Sequence, residues 1–329
     1  MGLGKTIQLL ALVQRAKANG ELTKPILLVC PTSVVGNWRH ESARFTPDLR
    51  VLIHHGAERL GRADVERFKT EAAEHDLVVT TYGLLPRDEE ALAAIEWGGV
   101  VLDEAQNIKN ADTRQSRVAR GLHAPLRVAL TGTPVENRLS ELWSIMDFLN
   151  PGYLGSHSRF QETLGTAVER LRDPAATAQL QALVRPFVLR RVKTDPNVIR
   201  DLPEKQEIKE YCPLTREQVT LYEAVVRDGL RQLEESASSA MQRRGIILGM
   251  LTKLKQVCNH PAHLLGDGSA LPGRSGKLTR LEELVEELLV EGDRALIFTQ
   301  FTAMGDRLRP YLAERFGVEV LYLHGGVAR

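Results

Sequence analysis

The sequence predicts an α/β protein with a parallel, doubly wound sheet. Five short apolar runs, each separated from the next by enough residues for a helix, cover residues 25–30, 51–54, 77–82, 100–103 and 127–130. A run that is apolar at every position is typical of a strand buried on both faces. Strands that alternate with helices pair in parallel through crossover connections. We therefore expect one α/β domain over residues 1–150, which begins with a helix over residues 6–17.

The composition is that of an ordinary globular protein. The chain has 329 residues, 43% of them hydrophobic, and its 43 basic and 42 acidic residues leave a net charge of +1. The length allows two domains, and the balanced charge excludes the overall basic field that marks many nucleic-acid binders. The three cysteines are far apart, which argues against both a disulfide framework and a zinc site. No run reaches 18 apolar residues, so we expect a cytoplasmic protein without membrane contact.

The character of the sequence changes after residue 150. Charged segments with helical spacing replace the strand-like runs and predict helices over residues 158–172, 215–235 and 243–257. We therefore predict a helical insertion over residues 151–265, followed by a Gly-, Pro- and Ser-rich linker over residues 266–276.

A second α/β lobe is predicted to begin after this linker, over residues 277–329. Its first element is an amphipathic helix over residues 278–290, and two apolar runs over residues 294–299 and 318–323 predict strands.

Both ends of the chain are unusual. The first six residues, MGLGKT, are the second half of the phosphate-loop pattern GxxxxGKS/T, which needs a preceding strand to aim it. At the other end, two predicted strands are too few for a sheet that covers itself. We expect the chain to be a fragment that lacks both ends of its parent protein.

The first six residues carry the strongest chemical signal. Gly2, Leu3 and Gly4 form a loop whose backbone N–H groups can approach phosphate oxygens, and the following helix directs its positive end to the same anion. Lys5 is predicted to neutralise the β and γ phosphates, and Thr6 to offer its hydroxyl to Mg²⁺. The alternative is a GKT tripeptide that occurs in a loop by chance.

A pair of carboxylates supplies the context for this loop. The apolar run at residues 100–102 ends in Asp103 and Glu104, and in a parallel sheet this end lies at the same edge as the phosphate loop. Asp103 can then reach the metal, while Glu104 orients or deprotonates a water molecule. Taken alone, the two acids could be a helix cap. Together with Lys5 they predict hydrolysis of a Mg²⁺-bound nucleoside triphosphate.

Hydroxyl groups follow three other predicted strands. Thr131 and Thr133 lie on a glycine turn after residue 130 and are suited to sensing the γ-phosphate. Polar side chains, which can contact phosphates without regard to sequence, also occur at Thr32, Ser33, Asn37, Thr80, Thr81 and Tyr82. A strand-to-helix turn would have a similar composition, and Ser33 could be an N-cap.

This set of motifs resembles the SWI/SNF-like ATPases of helicase superfamily two. Residues 1–6, 103–110 and 130–137 look like motifs I, II and III of that family. Further matches follow in order at residues 141–143, 187–191, 201–205, 256–261, 275–278 and 297–301. The sequence DEAQ in motif II is similar to the bacterial and archaeal branch.

The resemblance implies an ATP-dependent motor that moves on double-stranded DNA and uses ATP and Mg²⁺. Residues 1–150 would form the first RecA-like lobe, residues 151–265 the family's helical protrusions, and residues 277–329 the beginning of the second RecA-like lobe. Gln106 would belong to the nucleotide site. The residues that the family's motifs place along DNA are Thr32, Ser33, Asn37, Thr80, Thr81, Tyr82, Lys109, Asn110, Arg190 and Arg191. A protein bound to the DNA would be the remodelling target, and a bacterial member would associate with the nucleoid.

The same resemblance places the family's arginine fingers beyond Arg329. Such arginines contribute roughly a thousandfold or more to rate. We therefore expect weak ATP binding and negligible DNA-stimulated hydrolysis from this chain alone. An RNA helicase and a non-catalytic phosphate-loop docking module remain alternatives, whereas the lack of an NKxD motif argues against a GTPase switch.

Overall fold

The computed structural model describes residues 3–56, 59–60, 64–132, 139–193, 195, 206–235 and 240–327. The chain forms two compact units, Met1–Pro203 and Glu204–Arg329. The division of the chain at residues 150, 265 and 276 stays a prediction from the sequence.

A five-stranded parallel sheet is the centre of the first unit. Its strands are β1 (Ile26–Cys30), β2 (Val51–Ile53), β3 (Leu77–Thr81), β4 (Gly99–Asp103) and β5 (Leu126–Leu130). They lie in the order β2-β3-β1-β4-β5, and all four neighbouring pairs are parallel. The predicted fold class is confirmed, and the carboxyl ends of all five strands lie at one edge.

Helices connect the strands and continue after the sheet. In the first unit they are α1 (Lys5–Ala18), α2 (Val35–Phe45), α3 (Val65–Ala73), α4 (Glu89–Ala93), α5 (Arg114–Gly121), α6 (Leu139–Leu149), α7 (His157–Phe160), α8 (Thr166–Glu169) and α9 (Pro174–Val184). In the second unit they are α10 (Arg216–Glu235), α11 (Ala240–Asn259), α12 (Pro261–Leu265), α13 (Gly276–Glu291) and α14 (Thr302–Phe316). Short side chains that accept hydrogen bonds from first-turn N–H groups start α3, α5, α9 and α13, namely Asp64, Thr113, Asp173 and Ser275. No helix in the described part of the chain is long and apolar enough to cross a membrane.

The sheet is covered on both faces. Successive residues of a strand point to opposite sides, so Leu27 and Val29 face one core cluster, which includes Phe68 and Phe148. Residues Ile26, Leu28 and Cys30 face a second cluster with α1 and α2. This two-sided burial explains why β1, β3 and β4 are apolar almost throughout.

The second unit contains helices and a smaller core. Leu278 of α13 and Met304, Leu308 and Leu312 of α14 pack together with two other buried residues. The buried Gln218 of α10 donates from Nε2 to the carbonyl oxygen of Val257 on α11, at 2.7 Å. The helices predicted over residues 215–235, 243–257 and 278–290 are confirmed as α10, α11 and α13.

The two strands predicted for the second lobe are absent from the described residues, and one predicted helix is interrupted. The predicted strands over residues 294–299 and 318–323 lie outside any strand, and Leu296, Phe298, Leu321 and Leu323 are 86–89% exposed. An apolar run becomes a strand only when a neighbouring strand satisfies its backbone, and the one sheet of the described residues lies in the first unit. The helix predicted over residues 158–172 is interrupted by a π-helical turn, Gln161–Gly165, between α7 and α8.

Candidate active site

The phosphate loop leads directly into α1. Gly4 is the N-cap and adopts the left-handed conformation, with φ 71° and ψ 27°. Its carbonyl oxygen accepts from the backbone N–H of Gln8 at 3.0 Å, and the Gln8 side chain donates from Nε2 to the carbonyl oxygen of Leu3 at 3.1 Å. Lys5 and Thr6 occupy the first turn, where backbone N–H groups have no helical acceptor and are suited to an anion. Gly2 lies outside the described residues.

Asp103 ends β4 at the carboxyl edge of the sheet and is only 8% exposed. Its Oδ1 accepts from the backbone N–H of Glu104 at 2.9 Å, and its Oδ2 accepts from the indole Nε1 of Trp38 at 2.8 Å. The hydroxyl of Tyr82 donates to the backbone carbonyl oxygen of Asp103, also at 2.8 Å. The carboxylate and the peptide that follows it are therefore held from three directions.

The electrostatic surroundings of Asp103 suit a cation. Burial raises the pKa of Asp103 above its usual range, and the neighbouring charge of Glu104 adds to the rise. Hydrogen bonds from Trp38 and from the Glu104 N–H, together with the positive charge of Lys5, act in the opposite direction. Because the net effect disfavours the ionised carboxylate, a divalent cation beside it would be stabilising.

The donor set fits Mg²⁺ bound to a nucleotide. Asp103 offers a carboxylate oxygen and Thr6 a hydroxyl oxygen, which are the hard ligands that Mg²⁺ prefers. Among the described residues no three carboxylate, imidazole or thiol groups gather at one place. The remaining ligands would be phosphate oxygens and water, as is usual for Mg²⁺ in nucleotide sites.

Glu104 has an uncommon backbone conformation. Its φ of 50° and ψ of 55° lie in the left-handed region, which costs a residue with a side chain about 1–2 kcal/mol. Two hydrogen bonds support this turn, because the Glu104 carbonyl oxygen accepts from the side chain of Asn107 at 2.8 Å and from the backbone N–H of the same residue at 3.0 Å.

Gln106 connects the acidic pair to the loop after β5. Its Nε2 donates to Oε2 of Glu104 at 2.7 Å, and its Oε1 accepts from the hydroxyl of Thr131 at 2.7 Å. The side chain of Glu104 is thus tied to a loop that the sequence predicts to sense the γ-phosphate. Thr133, the other hydroxyl residue predicted for that loop, lies outside the described residues.

Several residues predicted to line DNA are exposed in their own unit. Thr32 and Ser33 are exposed in the 3-10 turn before α2, and Asn37 is exposed in the first turn of α2. Lys109 is half-buried and Asn110 is exposed beyond the acidic pair. Arg190 and Arg191 are exposed in the segment after α9.

The structure corrects the place of three other predicted DNA residues. Thr80, Thr81 and Tyr82 are 0%, 3% and 4% exposed, so their side chains do not reach a DNA backbone in this arrangement. The physical reason is packing on both faces of the sheet, because Val78 and Tyr82 belong to one core cluster and Leu77 and Val79 to the other. The hydroxyl of Tyr82 instead donates to the backbone carbonyl oxygen of Asp103.

Sequence reasoning assigned no role to Trp38. The residue lies on the buried side of α2 with Val35 and Ser42, at the i, i+3, i+7 spacing of a helix face that points to the core. This spacing was visible in the sequence. The hydrogen bond to Asp103 was not, because it joins residues 65 positions apart.

Comparisons of the sequence with known proteins all point to one family. A sequence model of the SNF2-related domain matches residues 1–263. The Bacillus subtilis protein YwqA is 45% identical over 331 residues, which cover all of this chain and 35% of that protein. The ATP-dependent DNA helicase DDM1 of Arabidopsis thaliana is 34% identical over 351 residues, which cover 99% of this chain and 45% of the relative.

A solved structure shows the same architecture. The Sulfolobus solfataricus SWI2/SNF2 ATPase core in complex with dsDNA is 42% identical and aligns with a TM-score of 0.58, covering all of this chain and 67% of that one. The chain spans less than half of the length of each of the two curated relatives named above. With matching motifs, fold and relatives, the chain belongs to the SNF2-related family.

Proposed function

We propose that the protein is an ATP-driven motor that acts on double-stranded DNA, and that this chain supplies its phosphate loop and its hydrolytic carboxylates. The observation that carries the proposal is the arrangement of the acidic pair: Asp103 ends β4, its Oδ1 accepts from the N–H of Glu104, and the positive charge of Lys5 acts on its carboxylate. The relatives support the choice of substrate and polymer, because one is named an ATP-dependent DNA helicase and another is an ATPase core in complex with dsDNA.

The residues would divide the work as follows. The N–H groups at the start of α1 and the ammonium of Lys5 hold the triphosphate, while Thr6 and Asp103 hold Mg²⁺. When bound, Mg²⁺ neutralises charge on the β- and γ-phosphate oxygens. Glu104 accepts a hydrogen bond from the attacking water and then its proton. Gln106 keeps the Glu104 carboxylate in place through the 2.7 Å hydrogen bond to Oε2.

DNA contact would come from exposed polar residues of the first unit. Ser33, Asn37, Asn110, Arg190 and Arg191 can donate to phosphate oxygens, which positions a protein on a duplex without reading its sequence. Binding of this kind weakens as salt rises, because each neutralised phosphate releases counterions. A motor of this design would work at the nucleoid in a bacterial cell and would act there on DNA-bound proteins.

Nucleotide binding by this chain is the first test. We expect a ribose-labelled fluorescent ATP analogue to bind in the presence of Mg²⁺, as measured by fluorescence anisotropy. Lys5→Ala removes a charged hydrogen-bond donor and should weaken binding about tenfold to a hundredfold. Lys69→Ala, at an exposed lysine of α3, is the matched control and should leave the affinity unchanged. Equal affinities for the Lys5→Ala variant and the wild type would refute the assignment of the phosphate loop.

The reaction and the preferred polymer need a second test. In a chimaera, this chain replaces the matching segment of YwqA, and phosphate release is measured with double-stranded DNA or with RNA. We expect stimulation by double-stranded DNA, and loss of hydrolysis with retained ATP binding in Glu104→Gln. Stronger stimulation by RNA would favour an RNA helicase. No hydrolysis by a folded chimaera that binds ATP would favour a docking module.

A further inference from the structure

Two aromatic side chains from separate segments donate hydrogen bonds to Asp103. Trp38 of α2 binds its carboxylate, and Tyr82, which follows β3, binds its backbone carbonyl oxygen, both at 2.8 Å. The two side chains are 2% and 4% exposed. The buried surroundings of Asp103 are therefore built from precise polar contacts as well as from apolar packing.

The indole of Trp38 is held in place by its neighbours. It belongs to the core cluster that contains Leu9 and Leu10 of α1, Cys30 of β1 and Val35 of α2. Because α1 begins at the phosphate loop, the indole N–H is positioned relative to both the phosphate-binding turn and the acidic strand end. A surface residue with free rotamers could not fix a carboxylate in this way.

Among the described residues, each oxygen of the Asp103 carboxylate accepts a hydrogen bond from one donor. Oδ1 accepts from the Glu104 N–H and Oδ2 from Trp38, so rotation of the carboxylate about its Cβ–Cγ bond would break at least one hydrogen bond. Each carboxylate oxygen can accept more than one hydrogen bond or ligand. The free lone pairs therefore remain available, in one orientation, to Mg²⁺ or to a water molecule bound to it.

We propose that Trp38 is a positioning residue, whose indole N–H holds Asp103 in the orientation that binds Mg²⁺ together with ATP. This inference rests on the proposed nucleotide site and adds to it a residue outside the phosphate loop and the acidic pair. Residues that orient a metal ligand typically contribute 10–100-fold to metal affinity. Loss of the indole N–H should therefore weaken nucleotide binding in the presence of Mg²⁺ and leave binding without Mg²⁺ unchanged.

Trp38→Phe tests the role, and Trp97→Phe is its matched control. Trp97 is also 2% exposed, and its Nε1 donates to the carbonyl oxygen of Leu92 at 2.8 Å, in the core cluster on the other face of the sheet. Binding of the fluorescent ATP analogue is followed by anisotropy while Mg²⁺ is titrated, and again in EDTA. We expect Trp38→Phe to raise the Mg²⁺ concentration for half-maximal binding by about tenfold or more, with unchanged affinity in EDTA. Trp97→Phe should match the wild type in both conditions.

A shape-preserving replacement separates positioning from packing. Incorporation of 3-benzothienylalanine at position 38 keeps the bicyclic ring and exchanges the N–H for sulfur, so the core stays filled if Trp38→Phe does not fold. The same shift in Mg²⁺ dependence is expected. If the Mg²⁺ midpoint is unchanged in this variant while the wild type still binds nucleotide in a Mg²⁺-dependent way, the role of Trp38 is overturned and the proposed function is not. A wild-type chain whose nucleotide affinity does not respond to Mg²⁺ would overturn the proposed function as well.

Discussion

Substitution of Gly4 separates the stability of the phosphate loop from its function. Gly4 has a φ of 71°, and a Cβ added there would meet only Nε2 of Gln8, at 3.8 Å, which is an ordinary contact. The cost of Gly4→Ala is therefore conformational. An L-residue in the left-handed region costs about 1–2 kcal/mol, and the lower entropy of the unfolded alanine chain offsets part of this. We expect a net loss of about 1 kcal/mol.

The other end of the same helix provides a control. Gly20 follows the C-cap of α1, also has a φ of 71°, and has no atom within 4 Å of an added Cβ. Gly20→Ala should therefore cost a similar free energy of unfolding. Only Gly4→Ala should weaken binding of the ATP analogue, because relief of its backbone strain turns the N–H groups of the loop away from the phosphates.

Tryptophan fluorescence reports this comparison cleanly. All three tryptophans, Trp38, Trp97 and Trp143, belong to the first unit, so urea unfolding followed by their emission monitors that unit. A loss of about 1 kcal/mol lowers the urea midpoint by about 0.3–0.5 M for a unit of this size. Equal nucleotide affinities for the two variants would refute the reasoning about the loop. Unchanged stability in Gly4→Ala would refute the left-handed conformation itself.

Three further substitutions probe hydrogen bonds at the two ends of the sheet strands. Asp76→Asn should lower the free energy of unfolding by about 2 kcal/mol at pH 7. Burial raises the pKa of Asp76, but the hydrogen bonds from Lys17 and Arg50 outweigh it and lower this pKa overall. The stabilisation is therefore present above the unfolded pKa and should fade below about pH 4, which urea midpoints at several pH values can check. Gln106→Ala should leave ATP affinity unchanged and slow hydrolysis by the YwqA chimaera about tenfold, which is equivalent to one lost hydrogen bond. An unchanged rate would contradict the role of Gln106 in holding Glu104. Tyr82→Phe should cost about 1 kcal/mol in urea unfolding without changing DNA affinity, whereas a direct DNA contact would require that affinity to fall.

The candidate site was predictable where its signals are local. The tripeptide that contains Gly4, Lys5 and Thr6 is contiguous, and so is the pair Asp103 and Glu104, which ends an apolar run. Parallel pairing places the two carboxylates at the carboxyl edge of the sheet, and the positive charge of Lys5 acts on Asp103. The chemical role proposed for these residues rests on short contiguous patterns, and the strand and the helix that carry them set their positions.

Residues at the ends of strands were less predictable. Thr80, Thr81 and Tyr82 carry a hydroxyl group near a strand end, as Ser33 does, yet of these four residues only Ser33 is exposed. Whether such a side chain points to solvent or to the core depends on which other residues pack around the end of the strand. That property arises from packing between distant segments and has no counterpart in the local sequence.

The sequence alone predicted the strand and helix periodicity, the phosphate loop and the acidic pair, because each of these features depends on neighbours along the chain. Packing decided which donors hold Asp103, how Gln106 joins two loops, and that the apolar runs near Phe298 and Leu321 form no strands. The reason is the same in each case. A hydrogen bond between distant residues, like a strand in a ladder, exists only when the fold brings its partner within reach.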